Sequence, residues 1–537
     1  MIGDVTGSYL DSLEEREFDA PFMALLRALG FSDIHLLHGP FEFGKDFIAK
    51  GNHEEVHTQF AFQTKAGNLG LSEWNGCRGQ IDLLRTNSLA HPAFDRGLPR
   101  RVVFVTTGRL VGGAALAAQD YSEHLRVLGE ASFSTWDRET LVDMISASPE
   151  VGLAGGAAAA LLTLLGKADQ GLTQESELEE FSRRWFTPPN IPLFKGALEA
   201  AVIANRLRRE GRLDLASYVG LCLVRAAWAS AHGSEPPSSV GLLVANTGRS
   251  LFRHYGSNLF NRCSDNALDP LKVIKAHELP SAYVTYPARC LRLVEIVGLL
   301  GILDLEERGQ GNQKLANFLV QFFRTNPGAS HPISDRWAVS LIPPVLFLVE
   351  TGHRAEIPAI LENVIRWVGN HYDSGNLGLA GSYSTPEEEI EYLLGSPFEH
   401  TAIHRRSESY VATVVLDLAA MLRIQAVYEL ARNDFLAVGA MPPVVEVGDT
   451  PSQYALHADG LSFEPNMQYE HAWAPRDGWK VAPHHDRAPS ACYLEQVGRA
   501  WDHLAVSAVL RDRHFLPACQ SFIRPKIPVH SSPTAHK

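Results

Sequence analysis

Strand-forming patterns in this chain are confined to roughly the first 150 of its 537 residues; from Val151 onward nearly every apolar repeat has helical spacing. Strands must find partners and helices must bury a stripe against one another, so this distribution calls for an α/β head followed by a helical body. The length also exceeds what one ordinary core supports, and several domains are expected. The expected division is an α/β domain at 1–150, a helical linker at 151–188, an α-helical domain at 189–435, and a loop-rich region at 436–537 with a final helix and a disordered tail.

Within the head, residues 13–30 read as a helix with Phe22, Leu25, Leu26 and Leu29 on one face. Segments 31–38, 43–50 and 56–66 read as strands, the last two joined by the turn residues of 50–55. A helix is expected at 79–87. The run Val102-Val103-Phe104-Val105, bounded by Pro99 and Gly108, suits a central parallel strand at 101–107. A helix at 112–128, an edge strand at 131–136 and a closing helix at 138–146 complete the order α-β-β-β-α-β-α-β-α. In the body, helices are expected at 197–209, 213–229, 287–305, 313–324, 337–350, 355–368, 387–394, 410–430 and 493–511, as a bundle or an irregular helical array. No fixed repeat period supports a named repeat family.

Composition narrows the function classes. Hydrophobic residues at 45% and charged residues at 20% belong to a globular protein, and the formal net charge of -13 is not the footprint of a general nucleic-acid coat. Any nucleic acid must be met by a local basic surface, a metal or a partner. The six cysteines are scattered without a CxxC pair, which argues against a disulfide framework and for reduced thiols in a cytoplasm. The start, Met1-Ile2-Gly3-Asp4, has no secretory pattern, and the Gly/Ala/Leu-rich 151–165 is too short to span a bilayer and reads as a packed helix. There is no GxxxxGK[ST] and no GxGxxG after a strand, so ATP dependence would come from a partner. His457, His471, His484 and His485 lack metal-ligand spacing.

The chemistry concentrates in two strings, Glu42-Phe43-Gly44-Lys45-Asp46 and Phe62-Gln63-Thr64-Lys65. With period two, Gln59, Ala61, Gln63 and Lys65 share one face and Phe60, Phe62 and Thr64 the other, which places the chemistry on one side of the sheet. Cleaving a phosphodiester requires neutralising the phosphate and delivering an activated water. Asp46, the Gln63 amide oxygen and the Thr64 carbonyl are oxygen donors for a hard cation, and Lys65 lies beside them to orient the water.

Gly44-x-Asp46 followed by Gln63-x-Lys65 resembles the Mrr-like branch of the PD-(D/E)xK restriction endonuclease superfamily, in which Gln commonly replaces the second acid. The likeness extends to Leu25-Leu26-x-x-Leu29-Gly30-Phe31, to Val103-Phe104-Val105-Thr106-Thr107-Gly108 with Ala114, and to Trp136-Asp137 with Leu141; it covers about residues 10–148. The family also carries an acid on its first helix. By position this is Asp19, with Glu17 as the fallback; Pro21 two residues on leaves open that Asp19 is instead a helix N-cap. Glu42 is an extra acid candidate, and Gln80, Arg78, Arg85, Arg100, Arg101 and Arg109 are candidate phosphate contacts, each with a solvated surface role as its alternative.

The resemblance implies a restriction-endonuclease-like head and a metal-dependent endonuclease of DNA using Mg²⁺ or Mn²⁺, in prokaryotic restriction or antiphage defence. Asp46, Gln63, the Thr64 carbonyl and Asp19 would hold the metal, and Lys65 would position the water. The helical region would be the sensor or the surface for a protein partner such as a separate ATPase, in a cytoplasmic protein that is a monomer or a homo-oligomer. A non-catalytic scaffold and an RNA-cleaving toxin on the same fold are the alternatives.

Overall fold

A computed structural model describes residues 2–37, 46–87, 91–130, 132–154, 159–187, 191–230, 239–265, 269–274, 282–373, 375–395, 404–443, 499–514 and 516–522. The chain forms two compact units, one of residues 1–166 with 187–205, the other of 167–186 with 206–537. The sequence division at 150 and 188 differs from this. The Tyr9 hydroxyl donates to the Gly152 carbonyl, and Gly152 lies against Leu198, so segments past 150 complete the first unit's core.

The first unit is built on a mixed five-stranded sheet in sequential order. Its elements are α1 (Ile2–Asp11), α2 (Glu15–Ala28), β1 (Ser32–Leu36), β2 (Phe47–His53), β3 (Val56–Lys65), α3 (Leu71–Thr86), β4 (Arg100–Thr106), α4 (Gly113–Val127), β5 (Ser132–Trp136) and α5 (Arg138–Ala147). β1, β2 and β3 form an antiparallel meander, and β4 and β5 continue parallel to β3. The β2–β3 hairpin closes through Glu54 and Glu55, both with positive φ, a two-residue loop whose twist matches the strands.

Both faces of the sheet are covered. Phe47, Phe60, Phe62, Val103 and Val105 pack with Phe18, Phe22, Leu25 and Leu26 of α2 and with Leu141 and Ile145 of α5. Ala61, Val102 and Phe104 pack with Trp74, Cys77, Ile81 and Leu84 of α3 and with α4. The face of Gln59 and Gln63, the side on which strand alternation places the chemistry, lies under helices, and the polar cluster forms at the strand ends. α3 begins at Leu71, eight residues before the expected start, because Trp74, Cys77, Ile81 and Leu84 recur at helical spacing and their burial overrides Gly76 and Gly79. α1 was not expected.

In the second unit the helix Leu213–Ser230 is buried on all sides, and the helix Ser239–Asp265, absent from the sequence expectation, lies alongside it. A Cβ on Gly220 or Gly248 would stand 2.7 Å from the other glycine's carbonyl oxygen, so the two backbones approach as only glycine permits. The expected helix at 410–430 is two, Tyr410–Met421 and Gln425–Val438, broken where Arg423 takes φ 54°. The expected 337–350 helix is a 3₁₀ segment followed by Ile342–Glu350, and the expected single helix at 151–165 is a 3₁₀ turn, Pro149–Leu153, followed by Ala159–Asp169. The final expected helix is observed as Ala500–Leu510. His457, His471, His484, His485, Glu42 and the tail expected to be disordered lie outside the described residues. Among the described residues no helix is long and apolar enough to cross a membrane.

The ends of β3 and β4 are fastened to each other. Thr106 Oγ1 donates to the Gly67 carbonyl at 2.8 Å, the Gly67 amide donates to Thr107 Oγ1 at 3.0 Å, and a Cβ on Gly108 would meet the Gly67 carbonyl carbon at 2.1 Å. These neighbours are backbone atoms and cannot rotate away. Gly108→Ala is expected to destabilise the first unit by about 1–3 kcal/mol, the range for overpacking, measured by urea unfolding; an unchanged midpoint would show that the crossing is not close-packed.

Candidate functional site

The register of β2 on β3 brings the site together. Phe47 faces Phe62 and Ile48 faces Ala61, so Asp46, one residue before β2, stands opposite Gln63. Its amide donates to the Phe62 carbonyl at 2.9 Å. Its carboxylate Oδ2 accepts from the Thr64 amide at 2.7 Å, from Thr64 Oγ1 at 3.0 Å and from Gln63 Nε2 at 3.0 Å. Asp46, Gln63 and Thr64 are thus one cluster.

Gln63 is buried, and its Oε1 has no hydrogen-bond partner among the described residues. An acceptor so placed is costly, by about 1–3 kcal/mol. The backbone of Thr64 turns its amide toward Asp46, on the β2 side, as the Phe62 carbonyl does. By strand geometry its carbonyl lies along the same edge, past the last β2 pairing at Phe47. The oxygens of Asp46, Gln63 and Thr64 fit a hard cation in number and type. Among the described residues no group of three or more His, Cys, Asp or Glu side chains gathers as a metal site, so such a cation would depend on amide and carbonyl oxygens.

Lys65 reaches across to the first turn of α2, where its Nζ lies 3.1 Å from Glu15 Oε1. Burial by itself would lower its pKa, but the hydrogen bond to Glu15 and the charges of Glu15 and Asp46 outweigh that and raise it, so Lys65 is an ammonium. Glu15, in the first turn of α2, meets the cluster through Lys65, and sequence reasoning did not name it. Glu17 is spent at the helix start, where its carboxylate takes the Glu14 amide at 2.9 Å. Glu14 occupies the N-cap, so Asp19 is not a cap; it sits inside α2, one turn beyond Glu15 and on the same side. Pro21 lies in the second turn. Pro21 had left open a cap at Asp19; the acidic run Glu14-Glu15-x-Glu17 ahead of the apolar stripe is the signal for the earlier start.

The other candidates are held elsewhere. Gln80 is exposed in the middle of α3, not at a helix start. Arg78 lies over the Tyr121 ring, Arg85 pairs with Asp82 and Glu130, and Arg109 with Glu139. Arg100 donates to the Arg85 and Asn87 carbonyls at the end of α3, and Arg101 to His53. No family model, curated protein or solved structure matches the chain.

Burial is the largest influence on Asp46 and raises its carboxyl above the ordinary 3.8; Thr64 and Lys65 pull it down without offsetting the rise, and Glu15 adds to it. A folded-state pKa above the unfolded one means that the native chain holds the proton to higher pH. Stability is then lost as pH rises from about 3.8 through the raised value, and the deficit persists above it. In EDTA-containing buffer at neutral pH, Asp46→Asn is therefore expected to unfold at higher temperature than wild type. A lower Tm would mean that the three hydrogen bonds outweigh desolvation.

Proposed function

We propose that this chain is a metal-dependent endonuclease of DNA, its first unit a restriction-endonuclease-like domain of the Mrr-like kind. One observation carries the reading: Asp46, Gln63, the Thr64 backbone and Lys65 converge at one end of β2 and β3, with the buried Gln63 Oε1 left as an unused acceptor. Asp46, Gln63 Oε1 and the Thr64 carbonyl are the donors that would hold Mg²⁺ or Mn²⁺. Bound there, the cation would supply phosphate neutralisation and an acidified water.

The chain's own groups do the rest. Lys65, kept cationic by Glu15, lies where it can orient water and stabilise charge developing on the phosphate. Glu15 is a positioning residue acting through Lys65, and Asp19, one turn on, is the further acid. With a net charge of -13 and Arg85, Arg100 and Arg101 held by neighbours within the fold, DNA is met through a restricted surface or a partner bound to the helical region, in keeping with a role in restriction or antiphage defence.

The test is cleavage by the purified full chain. Supercoiled plasmid, single-stranded DNA and RNA are each incubated with Mg²⁺ or Mn²⁺, beside Asp46→Ala and Lys65→Ala. Nicking of DNA by wild type is expected, reduced by about 10²–10³-fold in each variant, the scale for loss of a preorganised charge-stabilising group. Equal rates in wild type and variants, or no cleavage under any condition, would sink the proposal. Cleavage of RNA alone would overturn the choice of DNA.

A further inference from the structure

The hydrogen bonds to the Asp46 carboxylate all fall on one of its two oxygens, and the two oxygens therefore do different work. Oδ2 takes the Thr64 amide at 2.7 Å, Thr64 Oγ1 at 3.0 Å and Gln63 Nε2 at 3.0 Å. Oδ1 has no hydrogen-bond partner among the described residues, yet it is not a buried atom left without one, as Gln63 Oε1 is. Oδ1 is the oxygen open to a ligand.

Oδ2 belongs to the fold. β2 and β3 pair as far as Phe47 and Phe62, so past that point the Thr64 amide has no backbone acceptor on the β2 side. A buried strand amide needs one, and the Asp46 carboxylate supplies it. Thr64 is only 2% exposed, so solvent does not stand in if the carboxylate turns away. A cation held by both oxygens of Asp46 would draw Oδ2 from the strand end. A cation held by Oδ1 alone would leave all three bonds in place.

Hard cations differ in this respect. Calcium accepts a carboxylate through one oxygen or both and gathers roughly six to eight oxygens in a flexible shell, whereas magnesium keeps a tight octahedral one with several waters. We propose that the Thr64 side chain sets the choice of cation at this site: by holding Oδ2, its hydroxyl restricts Asp46 to coordination through Oδ1 and so favours magnesium and manganese over calcium. The inference rests on the metal-dependent reading of the first unit and gives a role to a side chain which that reading leaves unused, since there only the Thr64 carbonyl is a donor. Thr64 is thus a positioning residue acting through Asp46. Gln63 Nε2 helps to hold Oδ2, but the same amide carries a cation donor; the Thr64 hydroxyl can be changed without removing a ligand.

Metal binding by the full chain tests this without recourse to cleavage. Free Mn²⁺ is followed by electron paramagnetic resonance as protein is added, and Mg²⁺ and Ca²⁺ are then introduced as competitors. Asp46→Asn keeps an oxygen for the Thr64 amide and removes the charge, so the Mn²⁺ that this variant fails to bind defines the site. Thr64→Val keeps the β-branched shape that suits a strand. It is expected to shift competition toward Ca²⁺ relative to Mg²⁺ by about tenfold, the scale of one hydrogen bond to a charged group. Thr64→Ala, a second variant without the hydroxyl, is expected to follow it, and Thr64→Ser to keep the wild-type ratio. An unchanged ratio in the Val or Ala variant, or a Ser variant that moves with them, would overturn the role of Thr64 while leaving the metal site standing. Equal Mn²⁺ binding by wild type and Asp46→Asn would remove the site itself, and this inference with it.

Discussion

The pairing of β2 with β3 is the constraint on which the first unit's chemistry depends. A one-residue slip of register would turn Phe47 away from Phe62 and move Asp46 off Gln63. The aromatic cluster forbids that slip. Phe22 lies 5.1 Å from Phe47 and 5.4 Å from Phe62, both edge to face, and Trp136 of β5 closes on the same rings. Aromatic packing on one face thus fixes where the polar cluster assembles at the strand ends. Thr106 at the end of β4 and Thr107 just past it, both tied to Gly67, hold the other side of that corner.

Most of the head was legible because its signals are local. β-branched and aromatic runs marked β3 and β4, glycines marked their ends, and alternation put Gln63 and Lys65 on one side. What alternation could not reveal is whether that side is open, since this depends on helices arriving from elsewhere in the chain. Glu15 went unnamed for a related reason. Asp19 fits a spacing rule, whereas Glu15 meets Lys65 because α2 starts at Glu15 and its first turn leans over the end of β3. That is a tertiary fact fifty residues apart in sequence.

In the helical unit, charge pairs buried between distant segments were beyond sequence reading. Arg249 holds Asp502 with bonds of 2.8 and 2.5 Å, and Arg511 holds Glu295 with bonds of 2.5 and 2.8 Å. Both partnerships bind the helix Ala500–Leu510 and its end into the core, and the Trp501 indole adds a bond of 2.8 Å to the Leu299 carbonyl. Periodicity finds helices, but only the structure shows that a helix near the end of the chain is central. Such buried pairs contribute more to choosing one arrangement than to net stability, because desolvation offsets much of their attraction. Once formed, however, neither partner can leave alone.

The same reasoning bears on the proposed metal site. Leaving aside Asp19 one turn on, Asp46 and Glu15 contribute two negative charges and Lys65 one positive, so these three groups are together singly negative with both acids ionised. Where a second acid would make it doubly so, the amide of Gln63 adds an oxygen without charge. A divalent cation would turn the cluster from singly negative to singly positive, and a substrate phosphate, itself singly negative, would return it to neutrality. The charge balance is therefore best met when cation and phosphate are present together. In their absence, the buried Gln63 acceptor and the raised Asp46 carboxyl are what such a site should display: groups arranged for a partner and mildly destabilising without it.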